Sequence, residues 1–207
     1  MRTPLAAAVI LATLAARTAR AEPVVALRLA IAPAVGSAEA DVPVSDALSL
    51  QVPLQLDALW RTGRLAAGLY GSWGLARYGA CGSGSCSASV SRLGLEATWS
   101  FAPISGAEPW AGVGTGYEWA SATRAQSGTS TDTRWRGFEL AEAQGGVEWR
   151  VGPRFALGPF LLVGVGRYAR YTVETREESA TAEIARKAFH AWIHIGVRGR
   201  LSFKDAP

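Results

Sequence analysis

The chain is poor in the residue types that usually announce chemistry. Its 207 residues include two cysteines, two histidines and one methionine. After residue 21 no stretch offers the roughly 18 consecutive apolar residues of a transmembrane helix, because charged residues recur every few positions. A phosphate-binding loop is also missing. Gly112-Val-Gly-Thr-Gly116 and Gly164-Val-Gly166 lack the Lys-Ser/Thr ending, and no helical pattern follows them. Nor is there an excess of positive charge. The first 21 residues hold three of the 21 basic groups and none of the 17 acidic ones. The remainder, 18 against 17, gives no electrostatic footprint for nucleic acid.

What the sequence does have begins with an export signal. Arg2 supplies a positive start, Leu5 to Ala16 form an apolar stretch too short to cross a bilayer, and Ala19-Arg20-Ala21 is a small-x-small cleavage site. The expectation is a signal peptide over 1–21 and one domain over 22–207; a short membrane anchor is the alternative. Cys81-Gly-Ser-Gly-Ser-Cys86 would then meet an oxidising compartment, so a local Cys81–Cys86 disulfide is expected. The stretch has too few ligands for a metal site.

Eight strand-like segments follow, at about 23–35, 48–61, 64–77, 90–102, 109–121, 134–151, 154–174 and 184–203. Each reaches the ~9–11 residues a tilted strand needs to cross a membrane. Long polar connections at 36–47, 78–89, 122–133 and 175–183 alternate with short ones at 62–63, 103–108 and 152–153. With no transmembrane helix, only a closed sheet pairs every backbone group inside hydrocarbon. The fold expected is all-β, an eight-stranded antiparallel up-and-down transmembrane β-barrel, its short turns periplasmic and its long loops outside.

Side chains alternate along a strand, so the two faces can be separated. In the last segment Phe189, Ile193, Ile195, Val197 and Leu201 oppose His190, Trp192, His194, Arg198 and Arg200. In the fourth, Leu93, Leu95 and Trp99 oppose Arg92, Gly94 and Glu96. Alternation alone also fits a soluble barrel with its apolar face inward. Two features favour the inverted arrangement. Glycines share the charged face (Gly68, Gly112, Gly114, Gly116, Gly164, Gly166), where a narrow interior needs room for long side chains. Aromatics gather near segment ends: Trp60, Trp99, Phe101, Trp110, Trp149, Phe155 and Phe203 as one girdle, and Trp73, Tyr117, Trp119, Trp135, Tyr171 and Phe189 as the other. Pro53 fits poorly inside a strand, and the sixth segment loses its phase near Phe138-Glu139-Leu140, which predicts a bulge.

The expected lumen carries Arg28, Asp57, Arg61, Arg92, Glu96 and Glu118 from the first five segments. Glu142, Glu148, Arg150, Arg198 and Arg200 join them from the last three. Such a set reads as paired filling of the interior, or as a gated pore. His190 and His194 lie about 13 Å apart on a strand at ~3.3 Å per residue, too far to share a metal. No catalytic residue, metal ligand or cofactor site is assigned.

The ending His190–Phe203 resembles the final strand of outer-membrane β-barrel proteins, which the barrel-assembly machinery reads. Ile195, Val197, Leu201 and Phe203 match the alternating, aromatic-closed pattern, although Lys204-Asp205-Ala206-Pro207 follows where the family usually ends. Residues 22–207 as a whole resemble the eight-stranded OmpA-like and OmpX-like barrels. The resemblance implies a bacterial outer-membrane location, with lipid, lipopolysaccharide and the assembly machinery as partners, and no nucleic acid. It transfers no activity. The expected role is a non-enzymatic one, structural or through the outer loops, whose surface partner is unknown; a small pore is the alternative, and a lipopolysaccharide-modifying enzyme a third. Some barrels of that last kind pair a membrane-facing His with a nearby Ser. Here both histidines fall on the lumen side, and Trp192 and Gly196 stand two residues after them.

Overall fold

The computed structural model describes residues 21–79, 81, 84–126 and 129–203. The signal peptide expected over 1–21 lies outside these residues except for Ala21, as does the 204–207 tail. Ten strands and one short helix follow in order: β1 (Glu22–Glu39), β2 (Val42–Pro43), α1 (Val44–Ala47), β3 (Leu50–Thr62), β4 (Leu65–Arg77) and β5 (Ser85–Ser100). Then come β6 (Ala107–Gln126), β7 (Thr129–Arg150), β8 (Phe155–Glu174), β9 (Ser179–Glu183) and β10 (His190–Ser202).

Eight of the strands form the wall. β1, β3, β4, β5, β6, β7, β8 and β10 pair antiparallel, each with the next, and β10 pairs back onto β1, with Ile195 opposite Ile31. The sheet is thus closed, so no wall strand leaves a bare edge. β2 and β9 are short additions to β1 and β8 at the end away from the tight turns. The shorter wall strands have 13 residues, about 43 Å along the chain and about 33 Å of height when tilted ~40°, enough for an apolar band of ~25 Å. β6, β7 and β8 have 20, 22 and 20 residues and rise well beyond that band.

The faces divide with a period of two. Along β3, Val52, Leu54, Leu56 and Trp60 are exposed while Gln51, Gln55 and Asp57 are buried. Leu27, Leu29 and Ile31 of β1, Leu93 and Leu95 of β5, and Ile195 and Val197 of β10 are likewise about half exposed. Arg28, Arg92, Glu96 and Arg198 are 1–4% exposed. This is a soluble protein turned inside out. Apolar side chains point away from the axis and ionic ones toward it.

Prolines and bulges explain the misfits of the sequence pattern. Pro53 pairs with Gly74 of β4, but on its other side the β1–β3 ladder is interrupted between the Leu29–Leu54 and Ala32–Gln51 pairs. Pro159 falls in a matching gap between Gly146–Phe160 and Trp149–Leu157. Each missing N–H therefore lies on a ladder that is already open. The bulge expected near Phe138 is present. Register shifts between Glu139 and Ala141, and that change of phase turns Glu139 and Glu142 inward although they are three residues apart.

Three expectations about bounds are corrected. The 122–133 connection is mostly the top of the β6–β7 hairpin, which pairs up to Gln126–Thr129. Strand β5 begins at Ser85, inside the expected 78–89 loop. The last wall strand starts at His190 and not at 184, because Ile184 is buried in the apolar cluster that closes the outer end. Polar composition marks these upper segments as loops, yet strands that rise above a membrane have water on the outside and need no apolar pattern.

Candidate functional site: the ionic interior

The interior is stacked in tiers. Near the tight-turn end, Glu148 of β7 accepts hydrogen bonds from Arg198 Nη1 and Arg200 Nε of β10, both at 2.5 Å. Arg200 Nη2 also donates to Glu108 at 2.9 Å, and Arg61 approaches the same carboxylate at 3.6 Å. The Arg198 guanidinium lies 4.4 Å from the centre of the Trp110 ring.

The middle tier centres on Arg28 of β1. Its Nε donates to Asp57 at 2.7 Å, its Nη2 to both oxygens of Glu96 at 2.8 and 2.7 Å, and its Nη1 to Gln144. Gln144 Nε2 in turn donates to Glu96 at 2.9 Å and Glu142 at 3.0 Å, and Gln55 Nε2 donates to Asp57 at 2.9 Å. These charge-assisted hydrogen bonds are the strong form of ion pairing, and they satisfy lone pairs that burial would otherwise leave orphaned.

The upper tier is built on Glu118 of β6. Arg92 Nε donates to it at 2.7 Å, the Tyr168 hydroxyl donates to its other oxygen, and His190 Nε2 lies 3.1 Å from that same oxygen. The His190 ring is stacked on Tyr168 at 4.2 Å, and Arg92 lies over Trp192 at 5.2 Å. Tyr70 donates to Glu139, which stands 4.0 Å from Arg92. Above this tier the lining turns apolar. Val44 of α1, Leu48, Ile184, Val90, Ala120 and Trp192 form one buried cluster, with Trp135 and Tyr171 packed against it.

Glycine makes the crowding possible. A Cβ on Gly116 would lie 2.5 Å from the Tyr70 hydroxyl, on Gly114 2.9 Å from Glu142 Oε1, and on Gly166 2.8 Å from His190 Nε2.

Arg28, Asp57, Arg92, Glu96, Glu118, Glu142, Glu148, Arg198 and Arg200 therefore meet inside, and Arg61 sits half-buried at the rim. Arg150 does not join them. It is exposed at the strand end, where β7 runs into the turn to β8. Trp110 is corrected too: it is 4% exposed and lies beneath arginines instead of in a girdle. Trp135 and Tyr171 leave the outer girdle for the interior cluster because their stretch of β7–β8 stands above the bulges. Trp60, Trp99, Phe101, Trp149, Phe155 and Phe203 at one end, and Trp73, Trp119 and Phe189 at the other, are exposed on the outside. Ile195, Val197 and Leu201 also face outward. Cys81, in the connection between β4 and β5, is joined by a disulfide to Cys86 at the start of β5.

Sequence reasoning misses Glu108, Glu139, Tyr70 and Tyr168. The tyrosines share the parity of Gly68 and Gly166, so extending the alternation would find them. Glu108 falls in a segment that reads as a turn, and the bulge hides Glu139.

No protein-family model matches the sequence, and no curated protein matches it. Solved structures do. A major outer membrane protein from Thermus thermophilus aligns with a TM-score of 0.54 at 11% identity, over 88% of this chain and all of that one. The chain has the fold of the outer-membrane β-barrels. The outer membrane protein AlkL, determined in DMPC lipid bilayers, gives a TM-score of 0.51 at 14% identity, covering 90% of this chain and 92% of its own. OprG from Pseudomonas aeruginosa gives 0.50 at 9% identity, over 87% and 96%. At such identities the outer-membrane barrel fold is what is shared, and the interior side chains must be read from this chain alone.

Proposed function

We propose that this chain is an integral barrel of a bacterial outer membrane, with no enzymatic activity, acting as an envelope component or as a rigid platform for its outer loops. The observation that carries this reading is the inversion of the faces. An exposed apolar wall such as that of Leu29, Leu56, Leu95, Leu161 and Ile195 has no stable place in water, whereas lipid solvates it. The buried ion pairs supply the complementary half, since they keep the cylinder filled and fix its strands relative to one another. In this reading Cys81–Cys86 tightens an outer loop, and the outward Ile195, Val197 and Leu201 with Phe203 form the signal by which the assembly machinery inserts the barrel from the periplasm.

The interior argues against a standing pore. An ion would have to pass the Glu148–Arg198–Arg200 and Arg28–Glu96–Asp57 tiers and then the apolar plug of Val44, Leu48 and Ile184. Both histidines are walled inside, and His190 is engaged with Glu118 and Tyr168. The test is to refold the protein into vesicles, verify on a gel that migration changes on boiling, and fuse the vesicles with a planar bilayer. The expected outcome is a heat-modifiable barrel without discrete current steps. Regular steps from the folded protein would replace this reading by a channel, and absence of any heat shift would remove the membrane barrel.

A further inference from the structure

On the outer surface of β7 and β8, just above the apolar wall, three arginines lie close together in the strand register. Arg136 of β7 stands opposite Arg170 of β8, and nearer the wall Phe138 stands opposite Arg167. Like charges placed directly across a ladder destabilise it. Elsewhere on this surface the chain supplies its own anions: Arg134 has Asp132 at 2.8 Å and Glu174 at 3.1 Å, and Arg170 has Glu183 at 3.4 Å. Arg136 and Arg167 are exposed and have no carboxylate within 4.0 Å among the described residues. The Arg167 guanidinium lies 5.8 Å from the Phe189 ring centre, and Arg136 is cross-strand neighbour to Trp119.

The surroundings say what anion fits. Tyr117, Trp119 and Phe138 form a contiguous aromatic group beside the arginines, with ring centres 4.7 and 5.1 Å apart. Aromatics of this kind sit at headgroup level. Below Arg167 on the same face, Val165, Val163 and Leu161 run down the wall, where acyl chains would lie. We infer that Arg136 and Arg167 clamp a headgroup phosphate of a phosphorylated glycolipid of the outer leaflet, with its acyl chains along β7 and β8. Two forked guanidiniums match phosphate oxygens, and the apolar wall beneath them selects a lipid anion over a soluble one. This inference rests on the membrane reading above.

The test uses the full barrel refolded into phosphatidylcholine nanodiscs that contain a minor fraction of diphosphoryl lipid A or of the same glycolipid with its phosphates removed. Lipid retained by the protein is measured by native mass spectrometry. The unmodified protein should retain the phosphorylated form about ten-fold better, and R136Q/R167Q should abolish that preference. R136K/R167K should keep part of it. R77Q, which removes another exposed arginine on β4, should leave it unchanged. An unaltered preference in R136Q/R167Q, an equal loss in R77Q, or displacement of the lipid by excess inorganic phosphate would each overturn the assignment. A protein that fails to enter the nanodisc or shows no heat-modifiable migration would instead sink the membrane reading itself.

Discussion

Glu148 accepts from two buried arginines, Arg198 and Arg200, each at 2.5 Å. Removing one member of a buried pair leaves the other uncompensated. Glu148→Ala should therefore lower stability by about 3–5 kcal/mol, read as a shift of the urea midpoint for folding into vesicles. Glycine gives a second, purely steric prediction. Gly116→Ala places a methyl against the Tyr70 hydroxyl at 2.5 Å and the Leu93 carbonyl at 2.8 Å, and overpacking of this kind costs about 1–3 kcal/mol. Gly71→Ala meets nothing closer than 4.0 Å and should be neutral or slightly stabilising in the same titration. At this scale most of the site was legible in the sequence, since a charge on the glycine-bearing parity of a strand points inward. Legibility failed at Trp110 and Glu139. An indole fits an interface and the underside of a guanidinium equally well, and a bulge moves every residue beyond it to the other face.

Strands and turns were legible where the membrane imposes a pattern and not where water does. The turn ends of β3 and β4, of β5 and β6, and of β7 and β8 lie close to where Gly63, Gly106 and the Gly152-Pro153 pair put them; Gly63 and Gly106 take positive φ of 61° and 83°. The upper parts of β6 and β7 carry Thr123, Thr131 and Asp132, which read as loop, yet they continue the ladder to Gln126–Thr129. Strand β10 offers the clearest test of depth. Ile195 pairs with Ile31 on one side and Leu161 on the other, midway along the wall. Ile195→Arg should cost about 2–4 kcal/mol in vesicle folding, whereas Val151→Arg, beyond the end of β7, should cost about 0–1 kcal/mol. Equal tolerance at both positions would mean that the wall does not lie in hydrocarbon.

The whole molecule combines two arrangements that would each be unstable alone. An apolar wall needs lipid around it, and a set of buried carboxylates and guanidiniums needs a narrow, closed cylinder to hold the partners together. Nothing in the pattern of alternation distinguishes this from a soluble barrel with the faces exchanged; glycine placement and aromatic clustering decide it, and the exposures of Leu93, Ile195, Glu96 and Arg198 agree. The most direct test is a nitroxide scan along β10 from Ile193 to Leu201, with the protein folded in bilayers and collision with oxygen measured at each position. An inverted barrel gives a period of two, with high oxygen accessibility at Ile193, Ile195, Val197 and Leu201 and low accessibility at His194, Arg198 and Arg200. A profile with the opposite phase, or one without alternation, would contradict it.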